Sequence, residues 1–247
     1  MTVRFADAVI VGGGCYGTFY AGQLLRARAQ GKAEFDRLLL VDRDPACRAT
    51  RELGPDPGWQ LVTAEWGDFF DRYLARRSPV ESPAAPDVIV PSPLMPHLMY
   101  QWLERRARAR WPARLTETRP VPEGPGTPYD QAAPDGTRYV SFADWTCPTH
   151  CVEPALCPVT RGPRTWEMGE ALAALVRRLG RTRPVTGPVL FHCEHQVFGV
   201  GTFSVTEVLA GDARVAQAGA TGEAVDVLVG TVSSCHGAVN LLHLGPG

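Results

Sequence analysis

The sequence has no long hydrophobic run, no excess of charge and almost no lysine. No stretch approaches the about 18 apolar residues that a membrane-spanning helix needs. The 26 acidic residues nearly balance the 25 basic ones, of which only Lys32 is a lysine. This balance excludes a basic coat for nucleic acid and an acidic solvating tail. We therefore predict no membrane insertion and no nucleic acid partner.

The N-terminal segment also lacks the pattern of a secretory signal peptide. Residues 1–14 run directly into an apolar strand, without a small-residue cleavage site behind a long apolar run. The seven cysteines are an odd number, which does not favour a framework of disulfides. We expect a cytoplasmic protein with reduced thiols, in which clustered cysteines more often bind metal or take part in catalysis.

The first half of the chain alternates short apolar runs with helical patterns. Such runs are typical of buried parallel strands, and their alternation with helices favours a parallel α/β sheet. The predicted strands are residues 8–12, 38–41, 60–64 and 87–91, and the predicted helices are residues 15–30, 68–77 and 95–110.

The second half has a different texture. Nine of the 22 prolines lie between residues 120 and 163, and residues 120–136 are predicted to be loop or linker. A helix is predicted over 165–179, and a β-branched, alternating pattern from residue 188 onward predicts strands. We place one domain at 1–118, and at 119–247 a Cys/Pro-rich loop region, a helix and a small β-rich part that could complete the same sheet.

A glycine-rich segment follows the first predicted strand and opens the first helix. Gly12 allows a tight turn, Gly14 lets the backbone approach a pyrophosphate, and Gly17 lets the helix pack against the strand. The helix N-terminus then offers free N–H groups to phosphates. The predicted cofactor-binding residues in this segment are Gly12, Gly13, Gly14, Cys15, Tyr16 and Gly17.

Asp42 ends the second predicted strand, where an acidic side chain holds the ribose hydroxyls of a dinucleotide. A carboxylate there repels a 2′-phosphate and favours NAD over NADP, although the neighbouring Arg43 opposes that preference. FAD is the alternative cofactor, since many flavoproteins begin with the same loop, but no second flavin motif is recognisable.

Residues 5–110 resemble the NAD-binding Rossmann superfamily and are most similar to TrkA-N type nucleotide-binding domains. The resemblance rests on the glycine loop, on AEWGDFF at residues 64–70 and on PDVIV at residues 86–90. It implies a Rossmann-like parallel sheet that binds NAD(H).

Three cysteines lie within one irregular segment: Cys147, Cys151 and Cys157. Their thiolates could converge on one metal or cluster, with Cys235 as the fourth ligand and Cys193 as the alternative. Proline follows Cys147 and Cys157 directly, as it follows the last cysteine of bacterial ferredoxin motifs, which favours an iron–sulfur cluster over zinc. Neither the ferredoxin run nor the paired spacing of zinc ribbons is present.

Three further features carry weaker predictions. Residues 233–237 (SSCHG) resemble a nucleophile turn but do not fit G-x-S-x-G, and so do not favour a hydrolase. Glu153 and Glu194 lie inside the cysteine segments, where a buried carboxylate could transfer protons. The apolar stripe over residues 94–102 indicates core or a homodimer face.

Together these patterns predict an NAD-dependent oxidoreductase in which a Rossmann domain presents NAD(H) beside a cysteine-ligated metal centre. The dinucleotide would act with an unknown small molecule or electron partner. The alternative is a TrkA-N-like regulatory protein that senses NAD(H) and carries a structural or redox-sensing zinc site.

Overall fold

The computed structural model describes residues 2–77, 85–148 and 151–247. The chain forms two compact units. The first takes in the described residues within 1–95, 149–152 and 194–209, and the second those within 96–148, 153–193 and 210–247. In the described ranges, no helix has the length and apolar character to cross a membrane.

Helices and strands alternate from Val3 to Arg110, and the later part of the chain has runs of consecutive strands. In chain order they are β1 (Val3–Val11), α1 (Cys15–Ala29), β2 (Ala33–Asp42), α2 (Arg48–Glu52), β3 (Gln60–Thr63), α3 (Trp66–Leu74), β4 (Val88–Val90), α4 (Leu98–Arg110), β5 (Thr116–Arg119), β6 (Tyr129–Ala132), β7 (Arg138–Ser141), α5 (Met168–Leu179), β8 (Val185–His192), β9 (Glu194–Val197), β10 (Val200–Ser204), α6 (Val205–Gly219), β11 (Val225–Val232) and β12 (His236–Leu244).

The sheet of the first unit is mixed, in the order β3-β2-β1-β4-β10-β9. Strands β3, β2, β1 and β4 are parallel, whereas β10 is antiparallel to both β4 and β9. Residues 8–11 of β1 and 38–41 of β2 are all buried, because both faces of these strands are covered. Pairing of Val11 with Val41 brings the carboxyl ends of β1 and β2 to the same edge.

A buried ionic cluster holds the strands of this sheet to α3 and its following residues. Asp7 of β1 is 4% exposed at its side chain and accepts hydrogen bonds from Arg37 Nε at 2.7 Å and from the hydroxyl of Tyr73 at 3.1 Å. Arg77 also donates to Asp7, and its Nε lies 3.1 Å from Asp87. Burial, with the charge of Asp7, raises the pKa of Tyr73 above its ordinary value. The carboxylate of Asp7 is therefore buried with cationic partners.

The sheet of the second unit is also mixed. Its order is β6-β7-β12-β11-β8, and β5 pairs with β12 beyond this path. Strands β8 and β11 are parallel, and the remaining pairs are antiparallel. Helix α5 packs on the sheet because Met168, Leu172 and Leu175 lie on one helical face and form a core with Leu228 and Val239.

Two predictions of local structure were wrong. The first made residues 120–136 a loop, but β6 (Tyr129–Ala132) lies within them and pairs with β7. The two strands form a hairpin. In its turn the Asp135 carboxylate accepts the N–H of Thr137, and Gly136 has φ +86°. No residue of β6 is buried, so this strand does not need the alternating apolar residues by which a strand is recognised in a sequence.

The second wrong prediction extended the β-branched pattern through Leu209, where the structure has α6. Its start is a capping box. The hydroxyl of Ser204 accepts the N–H of Glu207 at 3.0 Å, and the Glu207 carboxylate accepts the N–H of Ser204 at 2.9 Å. This reciprocal pair satisfies N–H groups at the helix start and outweighs the strand preference of the valines and threonine that follow.

Candidate functional site

The glycine loop connects β1 to α1 by a close approach of backbone to backbone. Gly12 has φ +84°, and its N–H donates to the carbonyl of Val41 in β2 at 2.9 Å. A Cβ atom on Gly17 would lie 1.7 Å from the carbonyl oxygen of Gly12. The first position therefore requires a left-handed backbone, and the last requires the absence of a side chain.

The start of α1 is open. Gly14, its N-cap, is exposed, and a Cβ atom there would meet nothing within 4 Å. The N–H groups of Cys15 and Tyr16 donate to no residue in the part of the chain that the structure describes. Unpaired donors at the positive end of a helix dipole are suited to an anion such as phosphate.

The structure brings Asp42 to the glycine loop. One carboxylate oxygen accepts the N–H of Gly13 at 2.6 Å, and the other accepts the N–H of Asp44 at 2.8 Å. A carboxylate offers about four lone-pair sites, so Asp42 retains capacity for two ribose hydroxyls. The guanidinium of Arg43 is 78% exposed and lies 3.7 Å from Glu65.

Two neighbours of the loop were not predicted. The indole of Trp66 donates to the carbonyl of Val41 at 2.9 Å, and its ring would lie 3.3 Å from a Cβ atom on Gly12. Cys47 is buried against Gly13, where a Cβ atom would lie 2.3 Å from its sulfur. Trp66 lies in the AEWGDFF segment, but nothing in that segment indicated a contact with the loop.

The cysteines predicted as ligands lie in both units. Cys151 belongs to the first unit, and Cys147, Cys157, Cys193 and Cys235 belong to the second. All seven cysteines of the chain are free thiols. Over residues 2–77, 85–148 and 151–247, no three or more histidine, cysteine, aspartate or glutamate side chains form a group that could hold a metal ion. The metal centre therefore stays a prediction.

Two of these thiols have opposite environments. The backbone and hydroxyl of Thr160 hydrogen-bond to Cys157 and lower its pKa. Burial raises the pKa of Cys235 to about 12, despite a hydrogen bond from the indole N–H of Trp166 to its sulfur at 3.3 Å. Without a bound metal, Cys235 is therefore a neutral thiol near neutral pH, and a metal would have to displace its proton on binding.

A polar cluster encloses the turn between β11 and β12. Glu153, which has φ +48°, accepts the hydroxyl of Ser233 at 2.6 Å and the N–H of Ser234 at 2.9 Å. Nδ1 of His236 is 3.5 Å from the hydroxyl oxygen of Ser233, and Ser233 is 3% exposed. The hydroxyl is thus bonded to a carboxylate and buried, which does not suit a nucleophile activated by histidine.

Comparison with curated proteins and with solved structures finds no match. Residues 99–245 match the family described as "Uncharacterized protein, C-terminal domain". The match covers most of the second unit and more than half of the chain, so the chain belongs to this family.

Proposed function

We propose that the first unit binds NAD(H) at the glycine loop and that the protein is an NAD-dependent oxidoreductase. The strand order carries this proposal: four parallel strands run β3-β2-β1-β4, as in one half of a Rossmann sheet, with the loop after β1 and Asp42 at the end of β2. Ligands of open α/β sheets bind at the carboxyl ends of the strands, where these groups lie.

The residues fit the groups of a dinucleotide. The N–H groups of Cys15 and Tyr16 would bind the pyrophosphate, and the open space around Gly14 would admit it. Asp42 would accept the ribose hydroxyls and disfavour a 2′-phosphate, which selects NAD over NADP. When bound, the nicotinamide supplies hydride transfer. FAD is retained as the alternative dinucleotide.

A binding titration tests the cofactor. We expect NAD⁺ or NADH to bind the intact protein in calorimetry, and Gly14→Val to weaken binding at least about tenfold, because a side chain there would occupy the path of the pyrophosphate. Gly22→Ala is the matched control: it lies on the same helix, and a Cβ atom there would lie 4.0 Å from Leu53. Equal affinities of Gly14→Val and the native protein would refute the site.

We place the protein in the cytoplasm, acting on an unknown small molecule or electron partner, with homodimers as the assembly to test. The cysteine-ligated centre, iron–sulfur or zinc, is a separate proposal on which NAD(H) binding does not depend. Metal analysis and an absorbance spectrum after anaerobic purification test it directly.

Turnover separates the oxidoreductase from the alternative regulatory role. Oxidation or reduction of bound cofactor by a metabolite panel supports an oxidoreductase. Tight NAD(H) binding without turnover supports the TrkA-N-like sensor instead.

A further inference from the structure

Three aromatic side chains of the second unit form a cluster, here called the Trp166 cluster: Phe142, Trp145 and Trp166. The rings of Phe142 and Trp166 are stacked, with centroids 6.1 Å apart and an interplanar angle of 27°. Trp145 meets Trp166 edge to face, with centroids 6.3 Å apart. All three side chains are half-buried, so part of this aromatic surface is accessible to solvent.

Neighbouring groups hold the cluster at one end of the second sheet. Besides the bond from Trp166 to Cys235, the N–H of Met168 at the start of α5 donates to the carbonyl of Ser234 at 3.0 Å. Both Ser234 and Cys235 lie in the turn directly after β11, which is parallel to β8. The cluster therefore lies beside the carboxyl end of a parallel strand, an edge at which α/β sheets bind ligands.

Two buried N–H donors, one in the Trp166 cluster and one beside it, make no hydrogen bond in the described ranges. They are the indole N–H of Trp145 and the Nε–H of Arg164, and both are shielded from water. Another nitrogen of Arg164 donates to the carbonyl of Trp166 at 3.2 Å and to the carboxylate of Glu167 at 3.1 Å. A shielded donor without a partner costs free energy. A ligand whose acceptors meet these donors, after rotation of the Trp145 ring or the Arg164 side chain, would recover that cost.

The surrounding charges narrow the class of ligand. An alkylammonium ion would suit the rings, but it has no acceptor for the N–H groups of Trp145 and Arg164. An anion would meet the guanidinium of Arg164, but Glu167 already neutralises that charge at 3.1 Å. The carboxylate of Glu153, which lies against Cys235, would also repel an anion. A neutral planar ring with carbonyl or ring-nitrogen acceptors avoids both conflicts, and its own N–H groups could donate to a carboxylate.

We propose that the Trp166 cluster binds a neutral, planar nitrogen heterocycle, stacked on an aromatic ring and accepting hydrogen bonds from Trp145 and Arg164. This site lies in the second unit and does not depend on NAD(H) binding by the first. Stacking at this site would tolerate many ring systems, whereas the need for hydrogen-bond acceptors on the ring would restrict which of them bind.

Inosine is the probe, because it is uncharged near neutral pH and its planar base carries both carbonyl and ring-nitrogen acceptors. In a ¹⁵N-labelled sample of the full chain, each tryptophan gives one indole N–H resonance. Inosine should shift the resonances of Trp145 and Trp166, assigned through Trp145→Phe and Trp166→Phe. The resonance of Trp111 should stay fixed, because this half-buried indole of the same unit lies against Arg110 and Arg114.

Variants then separate stacking from hydrogen bonding. Trp166→Leu should weaken inosine binding at least about fivefold through lost stacking. Trp145→Phe keeps a ring but removes the donor, and should weaken it about threefold or more. Trp111→Phe is the matched control and should leave the affinity unchanged.

Three outcomes would overturn the proposal. The first is that all six indole resonances stay fixed at about 10 mM inosine, a concentration high enough to detect a Kd in the millimolar range. The second is that inosine shifts only tryptophans of the first unit. The third is that choline shifts the cluster and inosine does not, which would identify an organic-cation site instead.

Discussion

Each unit places a turn directly after a strand of a parallel pair, and the two turns use their backbone groups in opposite ways. After β1, the N–H groups of Cys15 and Tyr16 have no acceptor in the described part of the chain. After β11, the N–H of Ser234 donates to Glu153, and the N–H of Cys235 lies 3.4 Å from the hydroxyl of Ser233. The N–H groups at the end of the first turn are open, whereas those of the second turn are paired within the second unit.

Because of this difference, each unit has different groups with which to bind a ligand. An open turn at a helix start presents backbone donors, which bind an anion whatever the neighbouring side chains. A satisfied turn has no backbone donors to offer, so recognition beside it must come from side chains. This is why we propose phosphates as ligands of the glycine loop and a neutral ring as the ligand of the Trp166 cluster.

The largest expected effect comes from a steric clash in the first turn. In Gly17→Ala, the new methyl group must displace the carbonyl of Gly12, which lies 1.7 Å from the Cβ position. We expect the free energy of unfolding of the first unit to fall by about 3 kcal/mol. Denaturant unfolding measures it, with Gly22→Ala as the tolerated control. A loss below about 0.5 kcal/mol would mean that the turn is looser than described.

A somewhat smaller effect is expected from opening the second turn. Glu153→Ala removes the acceptor of the Ser233 hydroxyl and the Ser234 N–H, so the second unit should lose about 2 kcal/mol of stability. Glu153→Gln keeps an acceptor oxygen and should lose less. Glu170→Ala, at an exposed glutamate of α5, should change stability by at most about 0.5 kcal/mol. Equal losses in all three variants would contradict the contact.

The last expected effect is on the rate of thiol modification rather than on stability, and it concerns one cysteine from each turn. Cys15 is exposed, whereas Cys235 is buried and its pKa is raised to about 12. Because the thiolate is the reactive form, iodoacetamide at pH 8 should modify Cys15 at least about tenfold faster than Cys235.

A higher pH separates the ionisation of Cys235 in the folded protein from that in the unfolded protein. At pH 10 the thiol of Cys235 is still mostly protonated in the folded protein, whereas it ionises in urea near its ordinary value. Folding therefore favours the neutral thiol, and this contribution to stability declines as the pH rises from the ordinary thiol value toward 12. Peptide mass spectrometry checks both states, and fast labelling of folded Cys235 at pH 8 would show that the second turn opens.

Strongly apolar segments made much of the first unit predictable. Strands β1 and β2 are buried along continuous apolar runs, and the contact between Asp42 and the glycine loop follows from parallel strands ending at one edge. Their bounds still differed from prediction: β1 begins at Val3, five residues before the predicted start. Polar or charged residues at 4 and 7 conceal the earlier part of that strand.

The later part of the chain was less predictable, because its contacts join residues far apart in sequence or depend on short local signals. Glu153 and Ser233 are 80 residues apart, and such a contact leaves no local pattern. The capping box of Ser204 and Glu207 was readable, but the β-branched residues between and after them matched a strand. The stacking of Phe142 on Trp166 likewise depends on how an irregular segment folds back.

The insertion of most of the second unit between β4 and β10 has a consequence for the order of synthesis. Strand β4 ends at Val90 and its neighbour β10 begins at Val200, so roughly 110 residues are made between them. At ribosomal rates this is an interval of roughly 5–20 s. During that interval β4 has an open edge, the kind of strand that pairs with other chains. Slow translation or early termination in this stretch should therefore favour aggregation, even though the finished sheet covers that edge.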